Sequence, residues 1–389
     1  MPIKKLNVLS LGYTKELFNP SSVEKGDTSE RMKFYAKYLN KYYVLVFSRN
    51  KHGFKQKRIE NMNVIPTNGG SWVQSFFRMY RLGKEICENN KIDIIQAQDP
   101  VFTAFIGYLL KIKYKIPLNL CVYGFNPYNK YWIKEAKINL ILAPIGRYIV
   151  NKADGVQTDG SGDKQILIRN GLPSSKIFCK PMIPLNIEEF KNADGREIRK
   201  KLLRDKEERI ILFVGRLTKQ KNIPFLLKCY KDVIQKFPKA RLVIVGKGKE
   251  GAKLKKFSKR LKIQHKISWV EGIPHLRIPE YFKAADIFAL PSLYEGFARV
   301  LMEATAAGKP IVSTRVSGVV DAIIDKENGF IIPQGNEKEF VKKILFLLKN
   351  PETAKKMGER GQKIIDTEER FNPRRLLFKQ ILIWNKLAK

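Results

Sequence analysis

The sequence predicts an α/β fold made of two facing, doubly wound Rossmann-like domains with a cleft between them. Three observations carry this. At 389 residues the chain exceeds what one ordinary core organises. Short apolar runs alternate with longer helix-like segments from end to end, as parallel strands joined by crossover helices do. The alternation breaks at CKPMIPLNIEEFKNADG (179–195), where prolines and a polar run read as a linker. Domains are therefore expected at 1–186 and 187–389, with the last helix, about 372–389, able to pack back on the first.

Taken in order, KLNVLSLG (5–12), YYVLVFS (42–48), IDIIQAQ (92–98) and IPLNLCVYG (116–124) read as strands of the first domain. RMKFYAKYLNK (31–41) and SFFRMYRLGKEICENN (75–90) read as helices between them. The second series is RIILFVGRL (209–217), ARLVIVGKG (240–248), KISWVEG (266–272), DIFALPS (286–292) and KPIVSTR (309–315). An amphipathic helix follows the Asn-Pro pair at 372–373. In open parallel sheets ligands bind outside the carboxyl ends of the strands, so function is sought in the strand exits.

The formal net charge is +37, and both halves share it: 30 Lys and Arg against 16 Asp and Glu over 1–195, and 44 against 21 over the rest. That is no basic tail. It suits a surface working beside polyanions, either an anionic membrane or nucleic acid, or a lysine-rich proteome using Lys as its default solvated residue. Cys87, Cys121, Cys179 and Cys229 are too dispersed for a C-x-x-C site and, with three scattered histidines, make no zinc pattern. They read as reduced core residues of a cytoplasmic protein. MPIKKLNVLSLGY lacks a long apolar core and a cleavage site and reads as a first buried strand. INLILAPIGRYIV is broken by Pro144 and Arg147, so no stretch approaches a membrane span and a peripheral or soluble protein is expected.

Three strand exits of the second series offer chemistry. FVGRLTKQKN places Arg216 and Lys221 in a loop, where a guanidinium fork and an ammonium could hold a diphosphate. VIVGKGKE offers Gly246 and Gly248, which permit a tight turn and close backbone approach, though not a full dinucleotide fingerprint. LYEGFARVLMEATAAG then puts Glu295 in a glycine turn and Glu303 in an alanine-rich helix expected to begin near Phe297 and end at Gly308. Such a helix start aims free N–H groups and a positive dipole end at an anion. A carboxylate accepts two hydroxyl donors at once, which suits vicinal diols. A surface ion pair with lysine accounts for Glu303 as well. Two cations, a dipole end and two diol-binding carboxylates together describe a nucleotide-sugar site.

These residues carry a resemblance. FVGRLTKQKN, VIVGKGKE, Glu295-Gly296-Phe297 through Glu303, AAGKPIV, Gly318 and Asn328-Gly329 resemble the C-terminal domain of family-4 retaining glycosyltransferases of the GT-B fold, from about Ile210 to Gly361. The resemblance implies that Glu303 binds the nucleotide ribose and Glu295 the transferred sugar near its reacting carbon. It implies that amides of Gly296, Phe297 and Ala298 meet sugar hydroxyls, and that those near Val300 and Leu301 approach the diphosphate. Arg216 and Lys221 then stabilise the leaving nucleoside diphosphate. In the first half Gly26 matches a strand-exit loop where the family usually has two glycines, and Tyr123 in CVYGFN stands where a sugar-contacting histidine is common. PMIPLNIEEF replaces the family's usual linker sequence.

The implied activity is retaining transfer of a hexose or N-acetylhexosamine from a UDP- or GDP-sugar, in surface polysaccharide or glycolipid synthesis. No D-x-D sequence occurs, so no metal and no cofactor are expected. The implied partners are a nucleotide sugar and a glycan or lipid-linked acceptor, with no nucleic acid. SWVQSFFRMYRLGK (71–84) and KYWIKEAKINLILAPIGRY (130–148) mix aromatic and basic residues and fit interfacial helices on anionic lipid. Buried apolar faces with solvated basic ones account for them too. The rival readings are a noncatalytic nucleotide-binding paralogue, a basic nucleic-acid-binding protein, and an epimerase or phosphorylase on the same fold.

Overall fold

The computed structural model describes residues 3–18, 28–124, 127–182, 184 and 186–389. The chain divides at 182/183, and the segment Pro373–Lys389 returns to the first unit.

The first unit holds β1 (Asn7–Gly12), β2 (Lys41–Val46), β3 (Lys57–Ile59), β4 (Met62–Pro66), β5 (Ile94–Ala97), β6 (Leu118–Val122), β7 (Gly155–Thr158) and β8 (Ile177–Cys179). Their order is β3-β4-β2-β1-β5-β6-β7-β8, parallel except for the β3–β4 pair. Leu9 lies opposite Tyr43 and Ile95, and Leu120 opposite Val156. The strands read as near-continuous apolar runs because crossover helices cover both faces of a parallel sheet.

The buried amides Gln96, Asn119 and Gln157 interrupt those apolar runs. Asn119 donates to Gln96 Oε1 at 2.7 Å and to Gln157 Oε1 at 3.3 Å. The Trp384 indole N–H, from the terminal Pro373–Leu387 helix, also donates to Gln96 Oε1, at 2.6 Å. Trp384 is buried, with its ring 5.5 Å from Tyr35 and 6.0 Å from Tyr42. Gly155 leaves room for this helix, since a Cβ there would stand 2.5 Å from Leu387. The last helix is thus part of the first unit's core.

The second unit holds β9 (Arg209–Val214), β10 (Ala240–Val245), β11 (Ile267–Val270), β12 (Ile287–Leu290), β13 (Ile311–Thr314) and β14 (Gly329–Ile332). These six are parallel in the order β11-β10-β9-β12-β13-β14. Connectivity reverses at β9, which pairs with β10 on one side and β12 on the other.

The helix that carries Glu303 spans Arg299–Ala306, beginning two residues later than the sequence suggests. The turn before it is tightened by Arg299 N–H to Phe297 O and Leu301 N–H to Ala298 O. Helix Trp72–Asn89 begins earlier than expected, because Ser71 caps it by accepting from Gln74 N–H at 3.1 Å. All four cysteines are free thiols; Cys121 and Cys229 are core residues, whereas Cys87 and Cys179 are half-buried. Among the described residues no helix is long and apolar enough to cross a membrane.

Candidate functional site

The reversal at β9 makes a crevice outside the carboxyl ends of β9 and β12. Both carboxylate-bearing and cation-bearing loops leave from there. A single turn, Lys219–Lys221, follows β9 and ends at Asn222 in the left-handed region, with φ 47°. That turn aims Lys221 at the β12 exit. Lys221 Nζ lies 2.5 Å from Glu295 Oε1, and both side chains are buried.

Ser292 Oγ donates to the same Glu295 oxygen at 2.5 Å. Gln220 Nε2 donates to Tyr294 O at 3.0 Å and reaches Glu295 Oε2 at 3.4 Å. A buried ion pair holds only when further hydrogen bonds satisfy its remaining valences, and here Ser292 and Gln220 supply them. Oε1 is filled by two donors, while among the described residues Oε2 has only the long contact and keeps accepting capacity. Lys221 keeps two of its three N–H donors beyond Glu295. The arrangement presents a fixed carboxylate oxygen beside a fixed ammonium.

The backbone adds donors. The N–H groups of Gly296, Phe297, Ala298 and Val300 meet no acceptor among the described residues. The first N–H groups of a helix have no intrahelical partner and carry its positive dipole end. Leu301 differs from expectation: its N–H is already given to Ala298 O at 2.8 Å, so it has no donor left for a diphosphate. Gly318 is what lets this turn sit where it does. A Cβ there would lie 1.9 Å from Gly296 O and 2.8 Å from Phe297 Cα.

Glu303 lies one helical turn further on and is buried, 7% exposed, rather than at the surface. Arg216 is exposed at the β9 exit, and its guanidinium pairs with no carboxylate among the described residues. Gly246 and Gly248 serve loop packing. A Cβ on Gly246 would stand 2.0 Å from Gly215 O, and one on Gly248 2.3 Å from Leu217 O. Their close approach is to the β9 exit itself, which they hold in place.

Lys221, Glu295, Gly296, Phe297 and Ala298 thus lie on the loops that leave the carboxyl ends of β9 and β12, and Val300 and Glu303 on the helix that follows. Tyr123 belongs to the other unit, at the β6 exit. It is half-buried, accepts a short hydrogen bond from Gln157 Nε2, and is pushed well above the usual phenol range by burial and the Cys121 thiol. Gly26 lies outside the described residues. Sequence reasoning missed Ser292, Gln220 and, in the first unit, Asp99. The Asp99 carboxylate caps the Phe102–Tyr114 helix, accepting from the N–H groups of Val101, Phe102 and Thr103. The signal for Ser292 was its place three residues before Glu295 at a strand exit. Among the described residues no group of three or more His, Cys, Asp and Glu is placed to hold a metal.

Residues 194–364 match the family described as Glycosyl transferases group 1. An uncharacterised glycosyltransferase of Methanocaldococcus jannaschii is 26% identical over 330 residues, covering 82% of this chain and 84% of that one. The alpha-monoglucosyldiacylglycerol synthase of Streptococcus pneumoniae is 27% identical over 266 residues, 65% of this chain and 58% of that one. Anabaena HepE, solved with UDP and glucose, shares the fold with a TM-score of 0.76 at 17% identity, covering 98% of this chain and 100% of that one.

Proposed function

Residues 194–364 match the group 1 glycosyltransferases and the chain has the GT-B fold, and from that premise we propose that it transfers a hexose or N-acetylhexosamine, with retention and without metal, from a UDP- or GDP-sugar. The acceptor is a glycan or lipid-linked glycan of surface polysaccharide or glycolipid synthesis. The observation that carries this reading is the buried Lys221–Glu295 pair beside four free backbone N–H groups. A carboxylate with one accepting oxygen suits a sugar hydroxyl, and an ammonium with two spare donors suits a phosphate oxygen.

In this mechanism Glu303 holds the ribose diol and Arg216 reaches the diphosphate from the exposed side of the crevice. Glu295 Oε2 accepts from the transferred sugar, while its other oxygen keeps Lys221 in place. Negative charge grows on the leaving diphosphate as the glycosidic bond breaks. Lys221, Arg216 and the amides at 296–300 are fixed before that happens, so little reorganisation is needed at the moment of reaction. No residue is assigned as a covalent nucleophile; departure and attack take place on one face of the sugar.

The first unit supplies acceptor recognition in this reading. Its helices Trp72–Asn89, Phe102–Tyr114 and Lys137–Lys152 are neighbours, with Trp72 and Phe102 rings 4.6 Å apart and Tyr108 and Tyr148 rings 5.8 Å apart. Together they expose Phe77 (65%), Ile112 (58%), Leu140 (61%) and Ile141 (62%). Apolar side chains exposed among lysines and arginines fit the surface of an anionic membrane. This supports a lipid-linked acceptor taken at the cytoplasmic face, as does the lipid product named for the pneumococcal relative.

The test is transfer itself. The purified chain in EDTA is incubated with labelled UDP- or GDP-sugars and a lipid-and-glycan extract. The proposal predicts labelled product from one donor, with the donor's anomeric configuration kept. Nucleotide binding with no product from any donor supports the noncatalytic reading instead.

A further inference from the structure

At the opposite ends of the second unit's strands, a cavity of about 150 Å³ lies against the amino ends of β9 and β12 and the entry to β13. Its wall includes the cations Arg209, Lys309 and Lys355, the carboxylate Asp286, and the apolar Ile287 and Leu348. Arg209 and Ile287 open β9 and β12, the two strands whose far ends carry Lys221 and Glu295. It is therefore a separate place on the unit.

Its charges are unbalanced. Asp286 is already committed, since its Oδ2 accepts from Arg199 Nη1 at 2.9 Å and from Ile210 N–H at 2.7 Å. Among the described residues Lys309 gives one hydrogen bond, to Lys283 O at 2.9 Å, and a carbonyl does not neutralise an ammonium. Arg209 pairs with no carboxylate among the described residues. Among the described residues Lys355 has only Glu359 at 4.0 Å, and both are largely exposed. Burial pushes Lys309 down to about 8, against the pull of Asp286 and with the help of Lys283 and Arg199. An ammonium left in that state is stabilised by whatever anion comes beside it.

We propose that this cavity binds a small tetrahedral oxyanion of phosphate type, held between the Lys309 ammonium and the Arg209 guanidinium. The volume is far above the roughly 10–15 Å³ that one water requires, so a phosphate-sized guest fits. Arg209 offers the planar fork that matches two phosphate oxygens, and Lys309 a point charge. The guest removes the excess positive charge that the protein itself leaves uncompensated there. Because an anion favours the protonated amine, binding near pH 8 draws a proton onto Lys309 Nζ from the buffer.

The experiment is calorimetric titration with inorganic phosphate at fixed ionic strength, set by chloride. It is run at pH 8 in two buffers of different ionisation heat, with and without saturating UDP. The proposal predicts saturable phosphate binding that persists with UDP present and is weakened roughly tenfold or more in Arg209→Gln and Lys309→Met. It also predicts proton uptake in the wild type that is lost in Lys309→Arg, which keeps the charge but does not titrate. Arg216→Gln leaves this binding unchanged. Arg209→Gln, at a half-exposed strand end, keeps the test available should Lys309→Met fail to fold. No saturable binding, binding by both cavity variants as tight as the wild type's, or binding removed only by Arg216→Gln overturns the proposal.

Discussion

Lys221 and Glu295 come from the exits of two adjacent parallel strands, 74 positions apart, and meet with Nζ 2.5 Å from Oε1. Neither residue can be altered without leaving a buried charge behind. Removing one member of such a pair typically costs about 3–5 kcal/mol. Glu295→Gln is therefore expected to lower the melting temperature and to reduce transfer by roughly 100-fold or more, with a much smaller change in nucleotide affinity. A double-mutant cycle with Lys221→Met measures the coupling; additive losses would show that the pair does not act as a unit.

Glu303→Ala separates the two glutamates. A carboxylate that binds the ribose diol contributes through hydrogen bonds to a charged group, about 1.5–3 kcal/mol each. Nucleotide affinity should fall roughly 10- to 150-fold by titration. A loss confined to turnover would reverse the roles given to Glu295 and Glu303.

Gly318→Ala is expected to act on the same site without touching a ligand. The added Cβ meets Gly296 O at 1.9 Å, so the turn bearing the free amides must move. Weaker nucleotide binding in a folded variant is the expected result, read by titration beside circular dichroism.

Stability should fall in acid because of Glu208. Burial alone would raise its pKa, but Arg241, Arg204 N–H and Lys266 hold it down to about 2. A carboxyl with a depressed folded pKa contributes stability that is fully present above its unfolded value, near 4.5, and is lost as pH falls toward about 2. The contribution is on the order of 3 kcal/mol. Urea midpoints between pH 6 and pH 3 should decline in the wild type more steeply than in Glu208→Gln. Parallel declines would assign the acid sensitivity elsewhere.

Vesicle binding checks the membrane reading. Sedimentation with anionic vesicles should fall with added salt and in Phe77→Ser/Leu140→Ser, two exposed positions whose loss leaves the cores intact. Equal binding to neutral and anionic vesicles contradicts it.

Much of this was legible in the sequence because parallel strands buried on both faces read as apolar runs, and IILFV, RLVIV and IFAL each lie within a strand. Arg216, Lys221, Glu295 and Glu303 were legible as chemistry at strand exits. The direct Lys221–Glu295 bond was not, since it depends on β9 and β12 being neighbours, which sequence order hides. Gly246 and Gly248 were legible as a tight turn with close backbone approach, and the atoms a Cβ there would meet are the chain's own, Gly215 O and Leu217 O. Gln96, Asn119 and Gln157 were absorbed into apolar strands because their partners include Trp384, nearly 300 positions away.

The most direct measurement is titration of the wild type and Glu303→Ala with UDP and GDP, in EDTA, at matched ionic strength. The account predicts that one nucleotide binds the wild type saturably and raises its melting temperature by mass action. It predicts that Glu303→Ala binds the same nucleotide at least roughly tenfold more weakly. A folded wild type that binds neither nucleotide, or a Glu303→Ala variant that binds as tightly as the wild type, contradicts the assignment of this crevice as the donor site.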